Sequence, residues 1–260
     1  MNDLKSKQES LVFVKRMLAV AVSSITYLRG IFPEFAYRSR YLEDLCLKVL
    51  RENSSIPGAN KVVRWMMGCF DALDKQYVSY IPLFLNFEMI TSYQFNFRYS
   101  EVGPEMGILR NNEMQMQVTL EDTKTASVLL IRKLFLLMQN LGVLPSNVHL
   151  TMRLYYYDDI TPADYQPPGF KEGVYDRIWF QGIPVHFKVG HVETSYHSLK
   201  VRVSVDQGQV KKLEEGNEVK ETAIQVGSDC STASQSTIDP FFVLFPYVVF
   251  AVVESSCKKS

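Results

Sequence analysis

Three histidines, His186, His191 and His197, fall within twelve residues, and four cysteines, Cys46, Cys69, Cys230 and Cys257, are scattered along the chain. Imidazole and thiolate are the side chains that a zinc ion prefers, so these are the first residues to weigh. The histidines are spaced by five and six positions, which matches no recurrent ligand pattern, and no two cysteines stand in C-x-x-C spacing. The expectation is no metal site and no cofactor: the histidines read as surface or edge residues, and Cys46 and Cys69 as core residues. Asp158 and Asp159 are paired carboxylates at a strand end. Adjacent strand residues point to opposite faces, so the two should serve a turn and not share a proton. The phosphate-binding, dinucleotide-binding, nucleophile-elbow and zinc-protease motifs are all missing, so no catalytic residues and no small-molecule substrate are expected.

A different kind of chemistry is suggested by residues 164–170, DYQPPGF. Pro167 and Pro168 fix φ in succession, and Gly169 then lets the chain turn. With Tyr165 and Phe170 at its ends, this is a stiff elbow, unlike the Gly- and Ser-rich composition of a flexible linker. It lies between one strand-like run and a further set of them.

The elements around the elbow follow from periodicity. A helix is predicted from Lys7 to Arg29, with Ser6 and Glu9 in capping-box spacing, Gly30 to end it, and apolar residues at three- and four-residue steps. Residues 40–51, RYLEDLCLKVLR, are helical in composition but alternate like a strand. After a loop at 53–60, a second helix runs from Lys61 to Tyr77. Tyr80–Phe87 and Tyr93–Tyr99 read as a hairpin, with Pro82 tolerable near a strand start or edge. A polar loop fills 100–119. A third helix, Thr123–Leu141, is apolar almost all round and should be central. Val148, Leu150, Met152, Leu154 and Tyr156 then share one face of a strand. Ile178–Phe180, Val185–Val189 and Leu199–Val205 read as further strands. The order gives an α+β fold, with helices packed on one face of a mainly antiparallel sheet.

Composition agrees with a folded domain of 260 residues: 47% are hydrophobic and 12% aromatic. Lys plus Arg (28) equals Asp plus Glu (28), which argues against phosphate-driven nucleic-acid binding, a local basic patch aside. The polar start, MNDLKSKQES, has no apolar stretch of the signal-peptide kind, and scattered cysteines fit a reducing compartment.

The strings SLVFVKRMLAVAVSSITYLRGIFPEFAYRSRYLEDLCLKVLRE, ASVLLIRKLFLLMQNLG and YYYDDITPADYQPPGFKEG resemble the vertebrate meiotic HORMA-domain family, over about Glu9 to Val205. The resemblance implies a HORMA domain at 1–206 that acts as a peptide-binding adaptor and not as an enzyme. In that family a C-terminal safety belt wraps a short closure-motif peptide, which joins the sheet as a strand. By resemblance the belt is 171–206, carrying Val185, Phe187, Val189, Leu199, Val201 and Val203. Its hinge is Tyr165, Pro167, Pro168, Gly169 and Phe170, and the receiving strand carries Val148, Leu150, Met152, Leu154 and Tyr156. Residues 40–51 become at least partly strand. Tyr155–Tyr157 are either sheet packing or direct peptide contacts.

The resemblance further implies closure-motif peptides of meiotic axis proteins and other HORMA proteins as partners. It adds an AAA+ remodelling ATPase with its HORMA adaptor, and chromatin reached indirectly. The setting would be the nucleus, on unsynapsed meiotic chromosome axes, in double-strand-break formation, pairing and surveillance. The alternatives are a spindle-checkpoint or DNA-repair HORMA adaptor, or a membrane-associated protein. Two departures stand out. The arm before Leu11 is short for the family, which bears on the ATPase's grip. Residues 207–260 read as a disordered tail that ends in an unfamiliar apolar run, Phe241–Val253. That run is an alternative chain end, a self-packing strand or a membrane anchor, and at thirteen residues with Pro246 inside it is short for a membrane helix.

Overall fold

The computed structural model describes residues 6–86, 90–100, 120–142, 144, 147–173, 183–207, 250–251 and 255–258. The readings made for Phe87, the loop 101–119, the strand Ile178–Phe180 and most of the apolar run lie outside them.

Helix α1 (Lys7–Leu28) begins where the sequence places it. Ser6 Oγ accepts from the Glu9 amide, Glu9 Oε2 accepts from the Ser6 amide, and Gly30 leaves the helix at φ 63°. Its length and apolarity would suit a membrane span, but Leu18, Val22 and Ile25 are fully buried, so it is the core helix of a folded domain. Residues 37–50 form an antiparallel hairpin, β1 (Tyr37–Leu42) and β2 (Leu45–Leu50), so alternation prevails over helical composition there. Cys46 on β2 is exposed, against the expectation of a core residue; Cys69 is buried. Helix α2 (Pro57–Asp74) begins four residues earlier than expected and stops short of Tyr77. Pro57, read as loop, stands in the first turn of the helix, where its missing N–H has no intrahelical partner to lose.

A seven-stranded, fully antiparallel sheet carries the rest. It contains β3 (Val78–Asn86), β4 (Ile90–Tyr99), β5 (Asn147–Met152), β6 (Tyr155–Tyr156), β8 (Pro184–Glu193), β9 (His197–Asp206) and β11 (Ser255–Lys258), in the order β11-β5-β3-β4-β9-β8 with β6 alongside β3. Two short strands, β7 (Glu172–Gly173) and β10 (Phe250–Ala251), pair with each other. One face of the sheet is a continuous apolar surface: Ile81, Leu83 and Leu85 on β3, Tyr93, Phe95 and Phe97 on β4, Leu199, Val201, Val203 and Val205 on β9. Each such buried aliphatic side chain contributes about 1.5–3 kcal/mol by leaving water.

Helix α3 (Leu120–Asn140) packs one side only on this core. Leu130, Ile131, Leu134 and Met138 are buried, while Leu129 and Leu136 are exposed. The all-round burial expected of it is therefore not found: leucine counts alone do not say how many sides of a helix a single sheet covers. Pro82 is also displaced from its expected place near a strand start or edge, because β3 lies between β4 and β5/β6. The strand is tolerated there because the neighbouring run expected as one strand is broken into β5 and β6 opposite Pro82. Arg153, in the break, donates to the Pro82 carbonyl at 3.0 Å, and the absent proline N–H falls on that interrupted side.

Candidate functional site

The expected receiving residues occupy two different situations. Val148, Leu150, Met152, Leu154 and Tyr156 are all buried on the core side, so what they can offer an added strand is their main chain. Among the described residues, β11 pairs antiparallel with β5 over the first part of the run, with Lys258 opposite Asn147, Cys257 opposite Val148, Ser256 opposite His149 and Ser255 opposite Leu150. On its other side the run pairs with β3, from His149 opposite Asn86 to Met152 opposite Leu83, and further on Tyr156 pairs with Val78. Tyr155 stacks on Tyr80 at 4.0 Å between centroids, and Tyr157 Oη donates to the Phe97 carbonyl at 2.9 Å. These two side chains are sheet packing. Among the described residues, the stretch of this edge that carries an added strand is Asn147–Leu150.

The expected hinge residues converge on α2. The Phe170 amide donates to the Pro167 carbonyl at 3.2 Å, closing a turn with Gly169 at φ +83° in its third position. That angle is one L side chains rarely adopt, and a proline before it is pre-set for the turn. Gln166 Nε2 donates to the Phe170 carbonyl at 2.9 Å, and Phe170 itself is buried. Tyr165 Oη donates to Asp71 Oδ2 at 2.7 Å, beneath the Lys75 ammonium 4.6 Å from its ring, with Tyr77 and Tyr156 edge-on at 4.9 and 5.6 Å. The bonds from Lys75 and Tyr165 hold the Asp71 carboxyl below its ordinary range, and burial together with Asp71 pushes the Tyr165 phenol up. Directly after the turn, β7 pairs with β10, Glu172 opposite Ala251 and Gly173 opposite Phe250.

The expected belt residues form the hairpin β8–β9 on the far side of the sheet, joined to β4 from Thr91–Val205 to Tyr99–His197. Leu199, Val201, Val203 and Val189 are buried; Val185 and Phe187 are half-buried against the same core. A register shift between Lys188 and Gly190 brings Gly190 under Leu130 of α3, where a Cβ would lie 3.1 Å from that side chain. Beyond the bulge, His197 is not the surface residue expected: it is buried, with Nδ1 2.6 Å from Ser10 Oγ on α1. Among the described residues no three His, Cys, Asp or Glu side chains are grouped to hold a metal ion, and Asp158 and Asp159 lie in a turn. Gly68 on α2, which lies against Pro168 and Phe170 of the elbow, carries no signal in the sequence that would have found it.

A sheet edge that carries an added strand, a docked turn that launches a second strand onto the same segment, and a C-terminal hairpin carried to the opposite edge define a strand-clasping α+β domain. The HORMA domain model matches residues 10–197, and the chain belongs to that family. It is 47% identical to HORMA domain-containing protein 1 of Xenopus laevis over 230 residues, which is 86% of this chain and 59% of that protein. It is 49% identical to HORMA domain-containing protein 1 of Sus scrofa over 222 residues, 83% of this chain and 56% of that protein. The chain thus spans rather more than half the length of these relatives. Among solved structures, C. elegans HTP-2 bound to the HIM-3 closure motif superposes with a TM-score of 0.64 at 20% identity, covering 78% of this chain and 92% of that one.

Proposed function

We propose that this protein is a non-enzymatic adaptor that captures a peptide as an added strand at the Asn147–Leu150 edge and holds it against the belt strand Glu172–Gly173. The observation that carries this reading is the double pairing of the chain's own C-terminal segment: Ser255–Lys258 lies on β5 while Phe250–Ala251 lies on β7. One segment is therefore gripped by two elements far apart in sequence, through main-chain bonds that many sequences can make. The C. elegans HTP-2 structure, described as bound to a closure motif, supports the same reading.

The finer part of the proposal rests on the resemblance of the sequence to the meiotic members of the family. The peptides are closure motifs of meiotic axis proteins and of other HORMA proteins. The place of action is the chromosome axis in the nucleus, in break formation, homologue pairing and surveillance, and an AAA+ ATPase with its HORMA adaptor remodels the domain. The test is fluorescence-polarisation binding of axis-protein closure-motif peptides and of a peptide spanning 250–258. Two chains are compared, the full chain and one ending at Asp206. Tight, slowly dissociating binding to the shortened chain, and weaker binding to the full chain whose own segment competes, is the expected result. A folded shortened chain that binds none of these peptides overturns the reading.

A further inference from the structure

Helix α2 bears on both walls of the strand-accepting site through consecutive residues. Cys69 Sγ meets Met152 Sδ of β5 at 3.5 Å inside the core. Gly68 faces the other way, towards the elbow: a Cβ built on it would lie 2.3 Å from the Pro168 carbonyl oxygen and 2.9 Å from two ring carbons of Phe170. One turn earlier on the helix, Arg64 O would be 3.4 Å from a Cβ on Gly169. One turn later, Asp71 takes the Tyr165 hydroxyl. A glycine in the middle of a helix is unfavourable for the helix itself, so the position asks for another reason. The reason is contact: the elbow rests on helix backbone at a distance that no other residue permits.

We propose that Gly68 is a positioning residue for peptide capture, a notch in α2 that seats the Pro167–Phe170 turn and so sets where belt strand β7 begins. The elbow is a fixed mount and not a pivot. Phe170 closes the turn against the notch, and β7 starts two residues beyond it at Glu172. Because Cys69 ties the same helix to β5, the separation between β5 and β7 is set by one rigid element. A segment gripped by both strands needs that separation to be right to a fraction of a hydrogen-bond length. The consequence for capture rests on the adaptor reading above; the seat itself does not.

The experiment uses the full chain with Gly68→Ala, and Gly142→Ala as the matched control, since a Cβ at Gly142 meets nothing within 4 Å. Alanine favours α2 more than glycine does, so the variant leaves the helix intact. Phe170→Ala is the second variant, which empties the seat without crowding it. Two readouts are taken on the full chain: hydrogen exchange of the fragment around 165–173, and the dissociation rate of a labelled peptide spanning 250–258. In both seat variants exchange at the Phe170 amide should rise about tenfold, as expected for a locally opened segment, and peptide release should quicken by a similar factor. Gly142→Ala should change neither. Faster exchange with no peptide bound by any chain keeps the seat and sinks the adaptor reading. Unchanged exchange in Gly68→Ala, with the turn still in place, overturns the seat.

Discussion

Ser10 and His197 lie 187 positions apart, yet Ser10 Oγ sits 2.6 Å from His197 Nδ1 in a fully enclosed contact that also includes Thr194 Oγ1 at 2.5 Å from the serine. The first turns of α1 thereby hold the connection between β8 and β9, where Thr194 Oγ1 also caps the turn by accepting from the His197 amide. Burial, with the Lys7 ammonium nearby, pushes the His197 imidazole down to about 4. Among the described residues its Nε2 is enclosed without a hydrogen-bond partner, so a proton there would strand a buried charge.

The sign of the pH effect follows. The imidazole is harder to protonate when folded than its ordinary value of 6.5, so acid favours the unfolded chain. The His197 contribution should be level above about pH 6.5, fall between there and about pH 4, and level again below, where the depressed Asp71 carboxyl takes over as a source of acid loss. His186, also depressed by burial and by Arg202, acts in the same direction. Thermal melts of the wild type and of His197→Gln across that range make the check. The variant should lose most of the slope, and an unchanged slope would assign it to other groups.

Arg29 offers a second expectation. Its guanidinium is buried and donates to the Leu141 carbonyl at 3.1 Å and the Gly142 carbonyl at 2.8 Å, so it caps the end of α3 from the end of α1. Burial disfavours its charge, and the two carbonyls are what holds it in place. Arg29→Met should cost about 2–4 kcal/mol by orphaning those acceptors, read as a lower denaturant midpoint at unchanged slope. A loss below about 0.5 kcal/mol would mean water replaces the guanidinium without penalty.

The two faces of α3 supply a third. Leu134→Ala should cost about 2–5 kcal/mol, because Leu134 is enclosed in the core. Leu136→Ala, at 61% exposed, should fall within about 0.5 kcal/mol of the wild type. The ion pair of Arg132 with Asp44, 2.8 Å and exposed on both sides, should matter as little: Asp44→Asn is expected to shift stability by less than about 1 kcal/mol. Equal losses for the two leucines in parallel melts would contradict the one-sided packing.

These cases show where the sequence was readable. Signals that act within a few residues survived: the Ser6–Glu9 box, the positive φ at Gly30, and the alternation that makes Tyr93, Phe95 and Phe97 one buried row. Signals that depend on a distant partner did not. Pro57 suits a turn and a helix start equally well, and only the helix after it decides. Pro82 reads as an edge residue because the break in its neighbour lies seventy residues further on, around Arg153. His197 reads as surface until Ser10 is brought over it. The elbow was legible from two prolines and a glycine, but its seat was not, since a helical glycine carries no mark of what rests on it. The receiving strand was proposed on family resemblance alone, because an open sheet edge leaves no local pattern, and among the described residues it is Asn147–Leu150 that carries β11.

The register at that edge gives the last prediction. Successive strand residues turn their N–H and C=O groups to alternate sides. Arg153 points its N–H at β3, so Thr151 and His149 point theirs the same way, and Leu150 and Val148 face the added strand. Their partners across the edge are Ser255 and Cys257, which must face back, whereas Ser256 faces away. A peptide spanning 250–258, offered to the chain ending at Asp206, can be N-methylated at single residues. Methylation at Cys257 removes a bonded N–H and puts a methyl group into the ladder, and should weaken binding by about tenfold or more. The same change at Ser256 touches no ladder bond and should cost much less. Competition binding of the two peptides distinguishes the register directly, and the reverse order of affinities would place the segment one residue out of step on β5.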